Sequence, residues 1–338
     1  MSRILEFFSK AKRSLIRAQS PPKYRPMLAT LMQKPFSAEG WVFEPKLDGE
    51  RCLAYRDGDR VDLLSPTQTH INNSYPEIVD ALLKQPIKQF IVDGEIVAVK
   101  DAISNFSLLQ RRIQIQDPEL ARWSGEEVFF YIFDVLYLGG RDVTSKPLLE
   151  RKSLLTQALS FGGPLCYSSY REKDGEDFFE EVCKKGWQGI IAKRGDSKYI
   201  QAKSRDWLKF RCQNQQAFVI GGYVEQPGTA TPASLLIGYH DDKENLVYAG
   251  RVATGLDEDM LNYLGRHLID LKTPDSPFVD EEIPAKHVHW VRPELVVQVS
   301  FEYWTEDAKP RHPIFLGLRR DKEPEEVVCD RPEVAEVA

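Results

Sequence analysis

"FEPKLDGERCLAY", residues 43–55, is the stretch on which the reading of this chain turns. Leu47-Asp48-Gly49 is a turn signal, and the residues after it alternate as a strand does. A loop entering a strand accounts for both features. A second reading gives Lys46 a chemical role. A lysine is protonated at neutral pH and becomes a nucleophile only where nearby positive charge or burial lowers its pKa. Arg51 is close in sequence, and other cations can come from elsewhere in the fold. Such a lysine would attack the α-phosphate of a nucleotide, form a phosphoramide and release pyrophosphate. A K-x-D-G-x-R pattern arises by chance in a chain of this length roughly once in a few hundred cases, so the rest of the sequence has to decide.

The 338 residues are enough for two domains, and 42% hydrophobic and 28% charged residues are ordinary for a soluble globular chain. No apolar run reaches the length of a membrane span. The five cysteines (Cys52, Cys166, Cys183, Cys212 and Cys329) are scattered with no C-x-x-C pair. That spacing predicts neither a zinc site nor a disulfide framework, and it fits a reducing cytosol. The formal net charge is −6, but it is unevenly distributed. Residues 1–26 hold seven basic side chains and one acid, Glu6, so the remainder carries −12. "ILEFFSKAKRSLIRA" reads as an amphipathic basic helix, either a solvated tail or an arm on DNA. The end, "DKEPEEVVCDRPEVAEVA", is acidic.

The organisation expected is α+β: a basic extension over 1–23, a mixed α/β domain over 24–214, an all-β barrel over 215–325 and an acidic tail over 326–338. In the first part "WVFEPK", "RCLAYR", "VDLLS", "QFIVDGEIVAVK" and "VFFYIFDVLYL" read as strands, and "NFSLLQRRIQ", "PLLERKSLLTQALS" and "GEDFFEEVCKKG" as helices. The polar run "RCQNQQ" reads as a linker. Beyond it, five short strands with one helix, "DEDMLNYLGRHLIDL", after the third fit a small Greek-key barrel of the OB type.

Other stretches offer chemistry. "FIVDGEIVAV" carries Asp93 and Glu95 on one face of a strand, a pair suited to Mg²⁺ or to ribose hydroxyls; by itself it also reads as an Asp-Gly turn between strands. Phe133 in "FYIFDVLYL" by itself reads as core, although a purine stacks on such a ring. "GWQGIIAKR" and "SRDWLKFRC" bring Lys193, Lys209 and Arg211. Lys209 and Arg211 share one strand face while Leu208 and Phe210 take the other, which suits an anionic ligand or a solvated edge. "RHPIFLGLRRDK" gathers Arg311, Arg319, Arg320 and Lys322 in an otherwise acidic region, a grip for pyrophosphate.

Taken in order, "YRPMLAT", "EPKLDGER", "VDGEIVA", "FDVLYLGGRDV", "PLLERKSLL", "SKYIQAKSRDWLKFRC", "FVIGGYVEQPG", "YAGRVATG", "SPF" and "RHPIFLGLRRDK" resemble the nucleotidyltransferase superfamily of ATP-dependent DNA ligases and mRNA capping enzymes. The match is nearest to the ligase domain of bacterial end-joining DNA ligases and covers residues 24 to about 328. The resemblance implies an adenylation domain followed by an OB-fold. It implies ATP and Mg²⁺ (with Mn²⁺ as substitute) as cofactors, nicked or broken duplex DNA as substrate, end-binding repair proteins as possible partners, and a monomer of the bacterial cytosol. Lys46 would become AMP-lysine, Glu44 would recognise the adenine amino group and Phe133 would stack on the base. Arg51 and Glu95 would hold the ribose side, with Glu95 also near the metal. Asp93 would serve nick recognition or the joining steps. Lys193, Lys209 and Arg211 would contact the α-phosphate, and Arg319, Asp321 and Lys322 would orient pyrophosphate. Two positions depart from the family pattern: Gln188 stands where a metal-binding Glu is usual, and Pro66 where an Arg is usual. An RNA ligase or capping-type enzyme, or a DNA-binding relative weakened in catalysis, are the alternatives the sequence leaves.

Overall fold

The computed structural model describes residues 22–100, 103–225, 231–279, 283 and 287–330. The basic extension, apart from its last two residues, and the end of the acidic tail therefore lie outside the described residues. After Cys212 the chain passes from one compact unit into a second, each built around its own apolar clusters.

The first unit holds two sheets. One runs in the order β1 (Leu28–Leu31), β12 (Lys203–Arg211), β11 (Gly189–Arg194), β2 (Trp41–Pro45) and β10 (Arg171–Glu172). Across β2, β11 and β12 its alternation is regular. Phe43, Ile190, Ala192, Leu208 and Phe210 pack on one side with Phe178 and Val182 of helix α5 (Gly175–Lys184). Glu44, Ile191 and Lys209 are directly opposed across β2, β11 and β12, so they share the other side with Lys193, Trp207 and Arg211. One face is thus core and the other carries charge.

The second sheet runs β4 (Arg60–Leu64), β3 (Glu50–Asp57), β5 (Gln89–Lys100), β7 (Val128–Leu138) and β8 (Arg141–Asp142), with β6 (Ile103–Ser104) on β5 and β9 (Leu165–Tyr167) parallel to β7. One face buries the main core with helices α1 (Pro76–Leu83), α2 (Phe106–Ile113) and α4 (Leu148–Ala158); the short α3 (Pro118–Trp123) packs beside α1. β7 does not alternate regularly. Register shifts leave Phe133 and Leu136 without partners on β5. Each bulge turns an additional side chain away from the main core. Phe133, Leu136 and Tyr137 join Leu53, Ile91, Tyr199 and Trp207 in a smaller cluster where the two sheets meet. β5 runs unbroken through Asp93-Gly94, so the Asp-Gly turn is not formed. A side chain at Gly94 would sit 2.5 Å from the Phe130 ring, which explains glycine inside a strand.

The second unit is a barrel of the OB type. Its strands are β13 (Asn214–Glu225), β14 (Pro232–His240), β15 (Leu246–Val252), β16 (Lys272–Thr273), β17 (Val288–Val291), β18 (Val296–Phe301) and β19 (Ile314–Arg319), with helix α6 (Glu258–Asp270) after the third. β13 pairs with β14, β17 and β18, and β19 pairs with β18. A parallel bridge between Thr254 and Ile314 joins the ends of this ladder.

Three expectations need correction. The "linker" Asn214-Gln215-Gln216 is strand, opposed to Phe301, Ser300 and Val299 of β18. Its amides are satisfied locally: Gln298 donates to Gln215 at 3.1 Å, and Gln216 bonds the backbone at Val328 and Asp330. "IFLGLR", read only as the approach to a cation cluster, is β19. Cys183 and Cys212 form a disulfide, with Cα atoms 5.4 Å apart. The end of α5 folds back on the end of β12 and brings together residues distant in sequence.

Candidate active site

Lys46 lies just beyond β2, where Pro45 ends the strand and Asp48-Gly49 leads into β3. Its backbone N–H donates to Gly189 O at 2.8 Å. Its Nζ donates to Gln188 Oε1 and, at 3.4 Å, to Leu47 O. Gly189 lets the start of β11 lie close against β12. It has φ +141°, and a Cβ there would lie 1.9 Å from Phe210 O.

Two residues earlier, Glu44 is enclosed at 2% exposure by Lys193 and by two residues the sequence reading did not single out, Ser168 and Lys152. Lys193 Nζ donates to its Oε2 at 3.0 Å and Ser168 Oγ donates to the same oxygen at 3.2 Å. Lys152 Nζ, from α4, lies 2.8 Å from Oε1. That contact is an ion pair without hydrogen-bond alignment, so Oε1 is a buried acceptor with no hydrogen bond of its own. Burial pushes the Lys193 ammonium down to about 8; Glu44 opposes this and Lys152 adds to it. Lys193 is as enclosed as Glu44 and lies over the rings of Phe133 (4.2 Å) and Trp207 (4.1 Å). The α-phosphate is the contact expected of Lys193; in this structure its ammonium pairs with Glu44.

The shift has a consequence for stability. An unfolded lysine titrates near 10.4. Between pH 8 and about 10 the unfolded chain therefore binds more protons than the folded one, and unfolding free energy rises with pH. The expected rise from this group is on the order of 1–3 kcal/mol. Urea unfolding at pH 7, 8, 9 and 9.5 measures it, and Lys193→Met should flatten the curve.

Arg51 on β3 does not reach out toward open solvent. It forms a bidentate pair with Asp93 (2.6 and 2.7 Å), donates to Met27 O at 3.3 Å, and lies over the Phe133 ring at 4.6 Å. Asp93 is wholly buried and also accepts from Tyr199 OH at 2.7 Å. Asp93 is the residue expected to serve nick recognition or the joining steps; here its carboxylate holds Arg51 and Tyr199. Across the sheet Asp93 faces Asp134. Opposed like charges are costly, and each is neutralised by its own arginine, Asp134 by Arg151 at 2.8 and 2.8 Å. Phe133 is 8% exposed, so its ring is roofed by Arg51 and Lys193 and edged by Trp207. This is the ring expected to stack on the base.

Lys209 and Arg211 remain half-buried on the charged face of β12, and Glu95 is half-buried opposite Arg51. Among the described residues no group of three or more His, Cys, Asp or Glu is arranged to hold a metal ion. On the barrel, Arg319 at the end of β19 pairs with Asp321 at 2.7 and 2.5 Å. Burial works against the Asp321 carboxylate, but Arg319 and Lys322 hold it below its ordinary range.

A family model described as "ATP dependent DNA ligase domain" matches residues 26–211, and one described as "ATP dependent DNA ligase C terminal region" matches residues 229–322. The chain belongs to the ATP-dependent DNA ligases. It is 33% identical over 322 residues to the multifunctional non-homologous end joining protein LigD of Pseudomonas aeruginosa, an alignment covering 92% of this chain and 37% of that protein. This ligase thus spans about two-fifths of the length of such multifunctional relatives. DNA ligase C1 of Mycolicibacterium smegmatis is 29% identical, with 92% of this chain and 94% of that protein covered. Among solved structures, "mycobacterial DNA ligase D complexed with ATP and MES" superposes with a TM-score of 0.64 at 33% identity, covering 90% of this chain and 98% of that one. Among the described residues no helix is long and apolar enough to cross a membrane.

Trp207, Tyr199, Ser168, Lys152 and the Arg151–Asp134 pair are site or supporting residues that reading the sequence missed. Strand alternation from Lys209 backwards pointed to Trp207; nothing local pointed to Lys152.

Proposed function

We propose that this ligase seals 5′-phosphate/3′-hydroxyl breaks in duplex DNA, in repair by end joining, through a lysyl-AMP on Lys46 and then a DNA-adenylate. The observation that carries this is Lys46, pinned by its backbone to Gly189 and by its Nζ to Gln188, two residues beyond a buried acceptor. Lys46 Nζ attacks the α-phosphorus of ATP and pyrophosphate leaves. The AMP passes to the 5′-phosphate of the break. The 3′-hydroxyl then attacks that phosphate, and AMP leaves as the phosphodiester forms. Positioning and charge neutralisation do most of the work in such transfers. Glu44 Oε1 is the acceptor offered to the adenine amino group. Arg51, fixed by Asp93, and Glu95 face the sugar, and Lys209 and Arg211 the α-phosphate. Arg319, Asp321 and Lys322 of the barrel orient pyrophosphate in the first step, which asks for hinge motion near residue 215.

Mg²⁺ is commonly held by one or two carboxylates together with substrate phosphates and waters. Glu95 and the Gln188 amide oxygen match so sparse a set, and the ion would supply charge neutralisation at the phosphates. Gln188→Glu is expected to raise joining at low Mg²⁺. A carboxylate beside Lys46 Nζ also favours the ammonium, so the pH for half-maximal self-adenylation should move up. Single-turnover rates against Mg²⁺ and pH measure both.

Intact mass tests the function. With ATP and Mg²⁺ the protein should gain one AMP, and neither Lys46→Ala nor incubation with GTP should give an adduct. Folded protein, not already adenylated, that gains nothing with Mg²⁺ or Mn²⁺ overturns the reading.

A further inference from the structure

The Cys183–Cys212 disulfide joins two short stretches that carry site residues. Cys183 lies in the last turn of α5, and the turn that follows hangs on the helix end. Gly186 N–H donates to Cys183 O at 3.0 Å and Trp187 N–H to Val182 O at 2.9 Å. Gln188 comes next. Cys212 follows Arg211, the last residue of β12, and its N–H donates to Gln188 O at 2.9 Å. Arg211 is opposed to Gly189, whose carbonyl accepts the Lys46 N–H. Gln188 Oε1 in turn accepts from Lys46 Nζ. From the bridge to the nucleophile the path is one backbone rung and one side chain.

That rung lies outside the β11–β12 pairs, which begin at Gly189 and Arg211, and the ends of ladders open first. The bridge closes it covalently. With the bridge cut, the rung holds by its hydrogen bond alone, next to a turn in which Lys184, Lys185 and Gly186 are exposed. Both cysteines are half-buried and stand beside exposed residues, Lys184 and Gln213, so a small thiol reaches them from solvent. In compartments where glutathione and thioredoxin keep thiols reduced, disulfides are usually transient and serve catalysis or redox sensing.

We propose that the Cys183–Cys212 pair is a redox switch on self-adenylation: the bridged form holds Gln188 against Lys46 and is fast, and the dithiol form is slow. This rests on the proposed role of Lys46 as the nucleophile. Closure takes the two thiols through a mixed disulfide with a low-molecular-weight disulfide such as oxidised glutathione. One S–S bond forms within the protein and the S–S bond of the small disulfide breaks. Two electrons and two protons pass to the small disulfide, which leaves as two thiols. Reduction by two such thiols runs the same steps backwards.

The test is the single-turnover rate of AMP transfer from ATP to the full chain with Mg²⁺, well below the thermal transition, after equilibration with reduced or oxidised glutathione. Alkylation under denaturing conditions counts the thiols by mass, three when bridged and five when reduced. Circular dichroism checks folding. The reduced protein is expected to react about tenfold more slowly, within the range that a small misplacement of reacting groups produces, and to recover on reoxidation. Cys183→Ser and Cys212→Ser should each react at the reduced rate and ignore glutathione. In Gln188→Ala the bridge has nothing to hold against Lys46, so its two redox forms should react within about twofold of each other. Equal rates for the two forms of the parent, a faster reduced form, or an undiminished redox response in Gln188→Ala overturns the proposal and leaves the disulfide a stabilising link only. Five thiols after oxidation overturn it as well. A parent that gains no AMP in either form fails the ligase reading and the switch with it, a result distinct from a parent that reacts at one rate in both forms.

Discussion

Arg151→Met is expected to lower the unfolding free energy of the first unit by about 3–5 kcal/mol, the usual cost of removing one partner from a buried ion pair. Both Arg151 and Asp134 are wholly buried, and two bonds of 2.8 Å join them. The same guanidinium ties down the carbonyls of Lys146 and Ser197, at 2.5 and 2.9 Å. Without it, Asp134 retains its bond from Val135 N–H but stays charged, buried and opposite Asp93. The double variant Arg151→Met/Asp134→Leu removes the stranded charge and should recover much of the loss. Urea unfolding of the single and double variants at pH 7 measures the difference. A single variant costing under 1 kcal/mol would mean that Asp134 finds another partner or protonates at little cost.

Reduction of the Cys183–Cys212 disulfide is expected to cost a similar amount. The bridge spans 29 residues. Closing a loop of that length restricts the unfolded chain by about 3–4 kcal/mol in the entropic account. Thermal unfolding with and without dithiothreitol measures it. Cys183→Ser and Cys212→Ser should each resemble the reduced protein and no longer respond to the reductant. The bridge also sits close to the chemistry. Cys212 N–H donates to Gln188 O at 2.9 Å, and Gln188 holds Lys46 Nζ.

Strands were legible in the sequence from alternation or from an unbroken apolar run. "SRDWLKFRC" separates core residues from Lys209 and Arg211 as period two requires, and "VFFYIFDVLYL" coincides with β7 from end to end. The motif order likewise disclosed the family. What stayed hidden depends on partners far away in the chain. "ERK" in α4 reads as a solvated turn of helix, yet Arg151 and Lys152 are buried because Asp134 and Glu44 wait beneath them. Asn214-Gln215-Gln216 looks like loop because its amides find partners only in β18 and near the chain's end. The two cysteines form a pair only after α5 and β12 have docked. Bulges leave no local mark, so the side to which Phe133 points could not be counted from its neighbours.

Those bulges have a structural price of their own. Nine residues of β5, Phe90–Ala98, are matched by eleven of β7, Val128–Leu138. A longer strand laid along a shorter one must curl. The curl is a matter of residue count and not of residue identity. Substitutions along β7 can change which side chains its inner face carries, but a single deletion would remove one of the two extra residues and exchange inner for outer side chains up to the next bulge or turn. The curl is therefore inherited as a length difference between neighbouring strands, tolerant of exchange and intolerant of loss.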